Sequence, residues 1–342
     1  MNKAVTAEEA MNTFLPKDKD RKVKIPLTQR ANQHISTKST GYMVNVRHKY
    51  VAYIIALRPL GLAPSLTATA VGTALAYQVD TTVDVFILTL CTVIAVAVNG
   101  GCHLFNTYYD FLNGIDDKNT YDKTLVDRIL EPQDVVRFGY FLYILSCLCC
   151  IVLCLLSPLR LEYLALMYIC YAFVLFHYTG GIGLKYLALG DVVMVTMCGP
   201  LLVTFAYSAQ VGHLSVAPIL YSVPLALSGE AMMHSNNTRD MQTDRKAGIV
   251  TLPILIGLTL SYVLYKLLLF VPYIIFCILA CQYSVIMALP LLSLPKAFSL
   301  ERQFRTQNYA TIFEETAKLN LLISFFYTLA LILSPSGSLP EL

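Results

Sequence analysis

The stretch Val85–Asp117, VFILTLCTVIAVAVNGGCHLFNTYYDFLNGIDD, decides the fold. From Val85 to Tyr109 it contains no Asp, Glu, Lys or Arg, enough chain to cross about 30 Å of hydrocarbon as a helix. Its last residues then turn acidic, with Asp110, Asp116 and Asp117 led by Asn106. Carboxylates are thereby placed at the edge of a bilayer, where ionisable groups are costly. A second apolar run, near 214–235, ends the same way in NNTRDMQTD, Asn236–Asp244. Two such clusters suggest a site for divalent cations and a polyanionic ligand.

Composition agrees with a membrane chain. Of 342 residues, 56% are hydrophobic and only 14% charged, and the mean hydropathy is +0.60. Soluble domains carry about 25% charged residues. All ten cysteines lie in apolar runs; Cys147 and Cys150 form a Cys-x-x-Cys without polar neighbours, which reads as packing. Residues 1–46 are polar and lack the apolar core of a secretory signal, so they read as a disordered cytosolic tail before a membrane domain over 47–342.

Nine apolar spans fall near 53–78, 85–109, 137–157, 162–180, 187–209, 214–235, 248–268, 270–293 and 317–334, the last division but one resting on Pro272. The expected class is an all-α polytopic membrane protein; β-barrel strands would alternate instead. Nine spans put 23 of the 25 Lys and Arg on one side, leaving Arg160 and Lys266 opposite. The positive-inside rule makes that side cytosolic, with the C-terminus opposite. Both acidic clusters then share the cytosolic face.

Residues four apart share a helix face, so Asn106 projects with Asp110, and Asn236 with Asp240 and Asp244. In the first cluster Gly114 takes the next position, and a turn there brings Asp116 or Asp117 back toward Asp110. Oxygen-only donors suit Mg²⁺, which is commonly held by carboxylates together with substrate phosphates. Lys118, Lys123, Arg128, Arg239, Arg245 and Lys246 are interleaved with the acids, as a diphosphate leaving group requires. Arg58 reads equally as a membrane-edge anchor or a phosphate contact, and Asp191 equally as a helix cap or a catalytic group. Glu230, deeper in its span, needs a partner or a proton; His234 reads as packing at least as readily as an acid–base group. The Gly-rich run Tyr178–Tyr186, which contains Lys185, permits close approach of a substrate but matches no nucleotide-binding loop.

With NTYYDFLNGIDDK, DKTLVDRILEPQDVVRFG, YTGGIGLKYLALGD, HSNNTRDMQTDRKAGIVTL and AFSLERQFRTQ in this order, the chain resembles the UbiA superfamily of intramembrane prenyltransferases over about 47–342. Within it, the nearest resemblance is to the animal branch that makes menaquinone-4. The resemblance implies nine helices around a central cavity and Mg²⁺-dependent transfer of a prenyl group, geranylgeranyl, from its diphosphate to menadiol. It implies metal binding by Asp110, Asp116, Asp117, Asp240 and Asp244. Asn106, Asn236, Lys185, Arg239, Arg58 and Lys123 would contact diphosphate, and Tyr178 and Asp191 would shape the acceptor pocket. Thr107 and Gly114 depart from the common form of the first motif, which leaves open the carboxylate that completes it. The resemblance also implies membranes of the endoplasmic reticulum and Golgi, or of mitochondria, and a partner in HMG-CoA reductase. Alternatives are a 4-hydroxybenzoate-like or haem acceptor, a non-enzymatic regulator of sterol metabolism, and a transporter.

Overall fold

In hydrocarbon every peptide N–H and C=O must be satisfied within the protein, which leaves helices as the natural form for runs this apolar. The computed structural model describes residues 46–116 and 123–340, and ten α-helices dominate them. They are α1 (Val46–Ala56), α2 (Ala63–Asp80, entered through a 3₁₀ turn at Pro59–Leu62), α3 (Val85–Leu112) and α4 (Pro132–Leu156). Next come α5 (Leu161–Phe176), α6 (Gly190–Val211, with a π-turn at Met197–Leu201) and α7 (Ala217–Ala247). The last are α8 (Leu252–Gln282), α9 (Leu294–Arg305, after a 3₁₀ stretch at Val285–Ser293) and α10 (Ile312–Leu333). Apart from an isolated bridge between Leu187 and Val250, no strand pairing occurs among the described residues. The tail expected over 1–46 lies outside them except for Val46, as do Asp117 and Lys118.

The all-α polytopic class holds. Among the described residues, six helical segments are long and apolar enough to cross a membrane: Pro59–Asp80, Val85–Leu112, Pro132–Leu156, Gly190–Val211, Leu252–Gln282 and Ile312–Leu333. The expected count of nine is not reached on those terms. Helix α5 is short at 16 residues, α7 carries the second acidic cluster, and 285–305 is a 3₁₀ stretch followed by an amphipathic helix. The division at Pro272 is corrected. Pro272 is buried inside α8, which kinks instead at Gly257 (φ 77°) and ends at Gln282. Proline is tolerated within membrane helices where neighbouring groups compensate for the freed carbonyl.

The outer faces are apolar, as lipid requires. On α4, Ile144, Leu148, Ile151 and Leu155 form an exposed stripe at spacings of four, three and four. Polar residues point inward and tie the helices together. Tyr327 on α10 donates to the Tyr221 carbonyl on α7 at 2.8 Å, and Asn320 donates to Ser228 Oγ at 3.1 Å. Tyr265 on α8 meets Thr316 on α10 at 2.7 Å. Such contacts, with close packing, hold helices together where lipid offers no hydrophobic drive between them.

Two long helices position the acidic clusters. Asp84 starts α3 by accepting from the N–H groups of Phe86 and Ile87. At 28 residues α3 extends about 42 Å, longer than the hydrocarbon, so its Asp110 end projects beyond it. It stops at Asn113, and Gly114 (φ 70°) reverses the chain. Helix α7, at 31 residues, likewise outlasts the bilayer and ends at Gly248 (φ 75°). Its final turns carry Asn236, Asp240 and Asp244.

Candidate active site

A cavity of about 1010 Å³ opens among the 3₁₀ turn at Pro59–Leu62, α3, α6, α7 and the start of α10. Asn106, Asp110 and Asp116 line it from α3 and the turn that follows. Asn236, Arg239, Asp240 and Asp244 line it from α7, with Lys185, Arg58 and Tyr178 completing the set. The two acidic clusters, far apart in sequence, thus share one chamber. The reversal at Gly114 brings Asp116 back: the N–H groups of Ile115 and Asp116 both donate to the Asp110 carbonyl, at 2.9 and 3.3 Å.

Asp110 is the anchor of the first cluster. It is buried, and Lys185 Nζ reaches its Oδ2 at 2.7 Å and Asn106 Oδ1 at 3.0 Å. The Tyr186 hydroxyl donates to Asp110 Oδ1 at 2.7 Å. Burial, and then Asp110 itself, pushes the Tyr186 phenol well above its ordinary range, which keeps that hydroxyl a donor. The second cluster mirrors the first. Arg239 forks onto Asp240, Nε to Oδ1 and Nη2 to Oδ2, both at 2.7 Å, and Nη2 also reaches Asn236 Oδ1 at 2.9 Å. The Arg239 guanidinium lies 6.0 Å from the Phe313 ring centroid on α10.

Asp244 shows that the clusters interact. It stands beyond the apolar part of α7, and burial pushes its carboxyl up to about 7. Lys185 and Arg239 oppose that shift, while Asp240 and Asp110 reinforce it. Among the described lining residues, the carboxylates Asp110, Asp116, Asp240, Asp244 and Glu314 outnumber the cations Arg58, Lys185 and Arg239. A chamber with surplus negative charge receives an anion only together with cations. The oxygen-only donor set fits Mg²⁺.

Some expected residues are placed elsewhere. Lys123 does not line the cavity, and Asp117 lies outside the described residues. Asp191 is buried in the first turn of α6, outside the cavity lining, beside Glu230 and His234. Tyr178 does line it, with its hydroxyl 3.7 Å from Met233 Sδ. Sequence reasoning missed Asn99 and His103, which also line the chamber. Their spacing carried the signal: 99, 103, 106 and 110 lie on one helical face. Gln307, Tyr309 and Phe313 had no such signal, because the fold alone brings the α9–α10 connection over the cavity.

Comparison with known proteins bears on this arrangement directly. The UbiA prenyltransferase family profile matches residues 65–333. A zebrafish (Danio rerio) UbiA prenyltransferase domain-containing protein 1 is 58% identical over 299 residues, spanning 87% of this chain and 89% of the relative. The human protein of the same name is 56% identical over 296 residues, spanning 86% of this chain and 88% of its own. A Drosophila melanogaster homolog is 45% identical over 90% of this chain and 84% of the relative. Among solved structures, a UbiA homolog from Archaeoglobus fulgidus bound to GPP and Mg²⁺ superposes with a TM-score of 0.59. It has 14% identity and covers 82% of this chain and 99% of that one. An apo UbiA homolog from Aeropyrum pernix K1 gives 0.60 at 15% identity, over 78% and 96%. The two archaeal likenesses establish the fold. The chain belongs to the UbiA prenyltransferase family and is an intramembrane prenyltransferase.

Proposed function

We propose that this enzyme transfers a geranylgeranyl group from its diphosphate to menadiol, giving menaquinone-4, with Mg²⁺ as cofactor. The observation that carries this reading is the shared chamber, in which Asp110 and Asp240 each stand paired with a cation that a diphosphate can take over. Asp110, Asp116, Asp240 and Asp244, with Asp117, hold the metal; Mg²⁺ supplies neutralisation of the departing diphosphate. Lys185 and Arg239 meet the phosphate oxygens, helped by Asn106, Asn236 and Arg58. Lys123, off the cavity wall, acts only through the surrounding charge. As the allylic C–O bond breaks, its electron pair stays with the diphosphate. An electron-rich carbon of the reduced ring then bonds to the allylic carbon and loses its proton. Tyr178, Cys102, Met194 and Phe313 provide the water-poor wall this needs.

The quinol acceptor and the donor length rest on the family resemblance of the sequence motifs, as do residence in the endoplasmic reticulum and Golgi or mitochondria and association with HMG-CoA reductase. Topologically, α5, α7 and residues 285–305 serve as crossings beside the six long apolar segments, giving nine, with the 47–342 domain following a cytosolic tail. The test is purified protein in lipid with Mg²⁺, geranylgeranyl diphosphate and reduced menadione, with products read by mass. Menaquinone-4 is expected, and Asp240→Asn lowers turnover at least about 100-fold. Product from 4-hydroxybenzoate but none from menadiol would replace the acceptor, and undiminished turnover in Asp240→Asn would overturn the site.

A further inference from the structure

Behind the wall formed by Tyr178, Met194 and Met233 lies a cluster with no part in the chemistry above. Asp191 sits in the first turn of α6, and Glu230 and His234 occupy one face of α7, four residues apart. Their relative exposures are 8%, 4% and 0%. One donor atom from each lies within 4.8 Å of the other two. Both Glu230 oxygens, Asp191 Oδ1 and His234 Nδ1 are buried, and no N–H or O–H donor among the described residues reaches them. His234 Nε2 is 3.0 Å from the Ser261 carbonyl, which can only accept, so Nε2 carries the ring proton. The Nδ1 lone pair is therefore left available to a cation.

We propose that Asp191, Glu230 and His234 bind a divalent transition metal, of which Zn²⁺ fits best, at a site separate from the diphosphate chamber. The Asp191 and Glu230 carboxyls also come close enough to share a proton, the alternative that the experiment below distinguishes. Two considerations favour a metal. Two carboxylates, a neutral imidazole and a divalent cation sum to zero, which removes the cost of burying two charges some 9 Å inward of Asn236 along the helix. The backbone carbonyl on the far nitrogen is how metal-bound imidazoles are oriented. Imidazole among the donors selects Zn²⁺ and its neighbours over Mg²⁺. Its role is to pin the start of α6 to α7. A Cβ on Gly190 would stand 3.2 Å from the Tyr178 hydroxyl, so the pinned turn backs the cavity wall at Tyr178.

The experiment loads the full-length protein in detergent with Zn²⁺, washes it in Mg²⁺ buffer and measures zinc per chain by mass spectrometry. Wild type and Asp240→Asn retain one equivalent; Glu230→Gln and His234→Gln, checked by gel filtration, retain none. Should one of these variants fail to fold, the other decides. Co²⁺-loaded wild type shows visible ligand-field bands that His234→Gln loses. Wild type without zinc, or Glu230→Gln holding as much as wild type, overturns the proposal. So does a carboxylic acid C=O infrared band in zinc-free wild type that persists unchanged when Zn²⁺ is added, since that assigns a shared proton instead.

Discussion

Asp110 is 3% exposed, and Lys185 and the Tyr186 hydroxyl both donate to its carboxylate. Removing one partner of a buried ion pair leaves the other desolvated, at a cost of about 3–5 kcal/mol. Lys185→Met is therefore expected to lower the melting temperature in Mg²⁺-free buffer, and added Mg²⁺ to recover much of the loss by taking the place of the lost cation. A loss that Mg²⁺ leaves untouched removes Asp110 from the metal site. Tyr186→Phe deletes one hydrogen bond to a charged acceptor, worth about 1.5–3 kcal/mol, while keeping the ring. It should destabilise the protein less than Lys185→Met when both are melted under the same conditions. At this scale the sequence was informative for the acids, whose four-residue spacing betrays a shared face. It was silent on Tyr186, a partner supplied by a turn rather than by a period.

Helix α3 joins most of the site to the scaffold. Asn99, one and two turns before His103 and Asn106, donates to the Gly61 carbonyl at 3.2 Å and to Ser65 Oγ at 2.9 Å. These bonds fix the turn that follows Arg58, whose backbone is left-handed at φ 50°. Asn99→Ala leaves buried acceptors unsatisfied, at about 1–3 kcal/mol. Thermal melting in detergent should show that loss, and KM for prenyl diphosphate should rise as Arg58 loosens; an unchanged KM would detach Arg58 from the ligand. The face 99–103–106–110 was legible from periodicity. The path of α8 through Pro272 was not, because local rules break a helix at proline, whereas packing in a membrane can retain it.

For the whole molecule, charge placement is the strongest constraint. Tags inserted in the 306–311 connection and in the loop at Ser157–Leu161 should react from opposite sides of sealed microsomes, the first from the cytosolic side. Reaction of both from one side would refute the odd number of crossings. The fold alone does not choose an acceptor, because the acceptor is set by side chains in the site rather than by the helix arrangement. Pattern along the chain was sufficient for the membrane class and the two rows of carboxylates, since hydropathy and helical period are local quantities. Packing decided the rest: that Asp110 and Asp240 face one chamber, that Lys185 pairs with Asp110, and that Asp191 joins Glu230 and His234 instead. Those outcomes depend on which helix faces meet, and contacts between residues far apart in the chain leave no period to read.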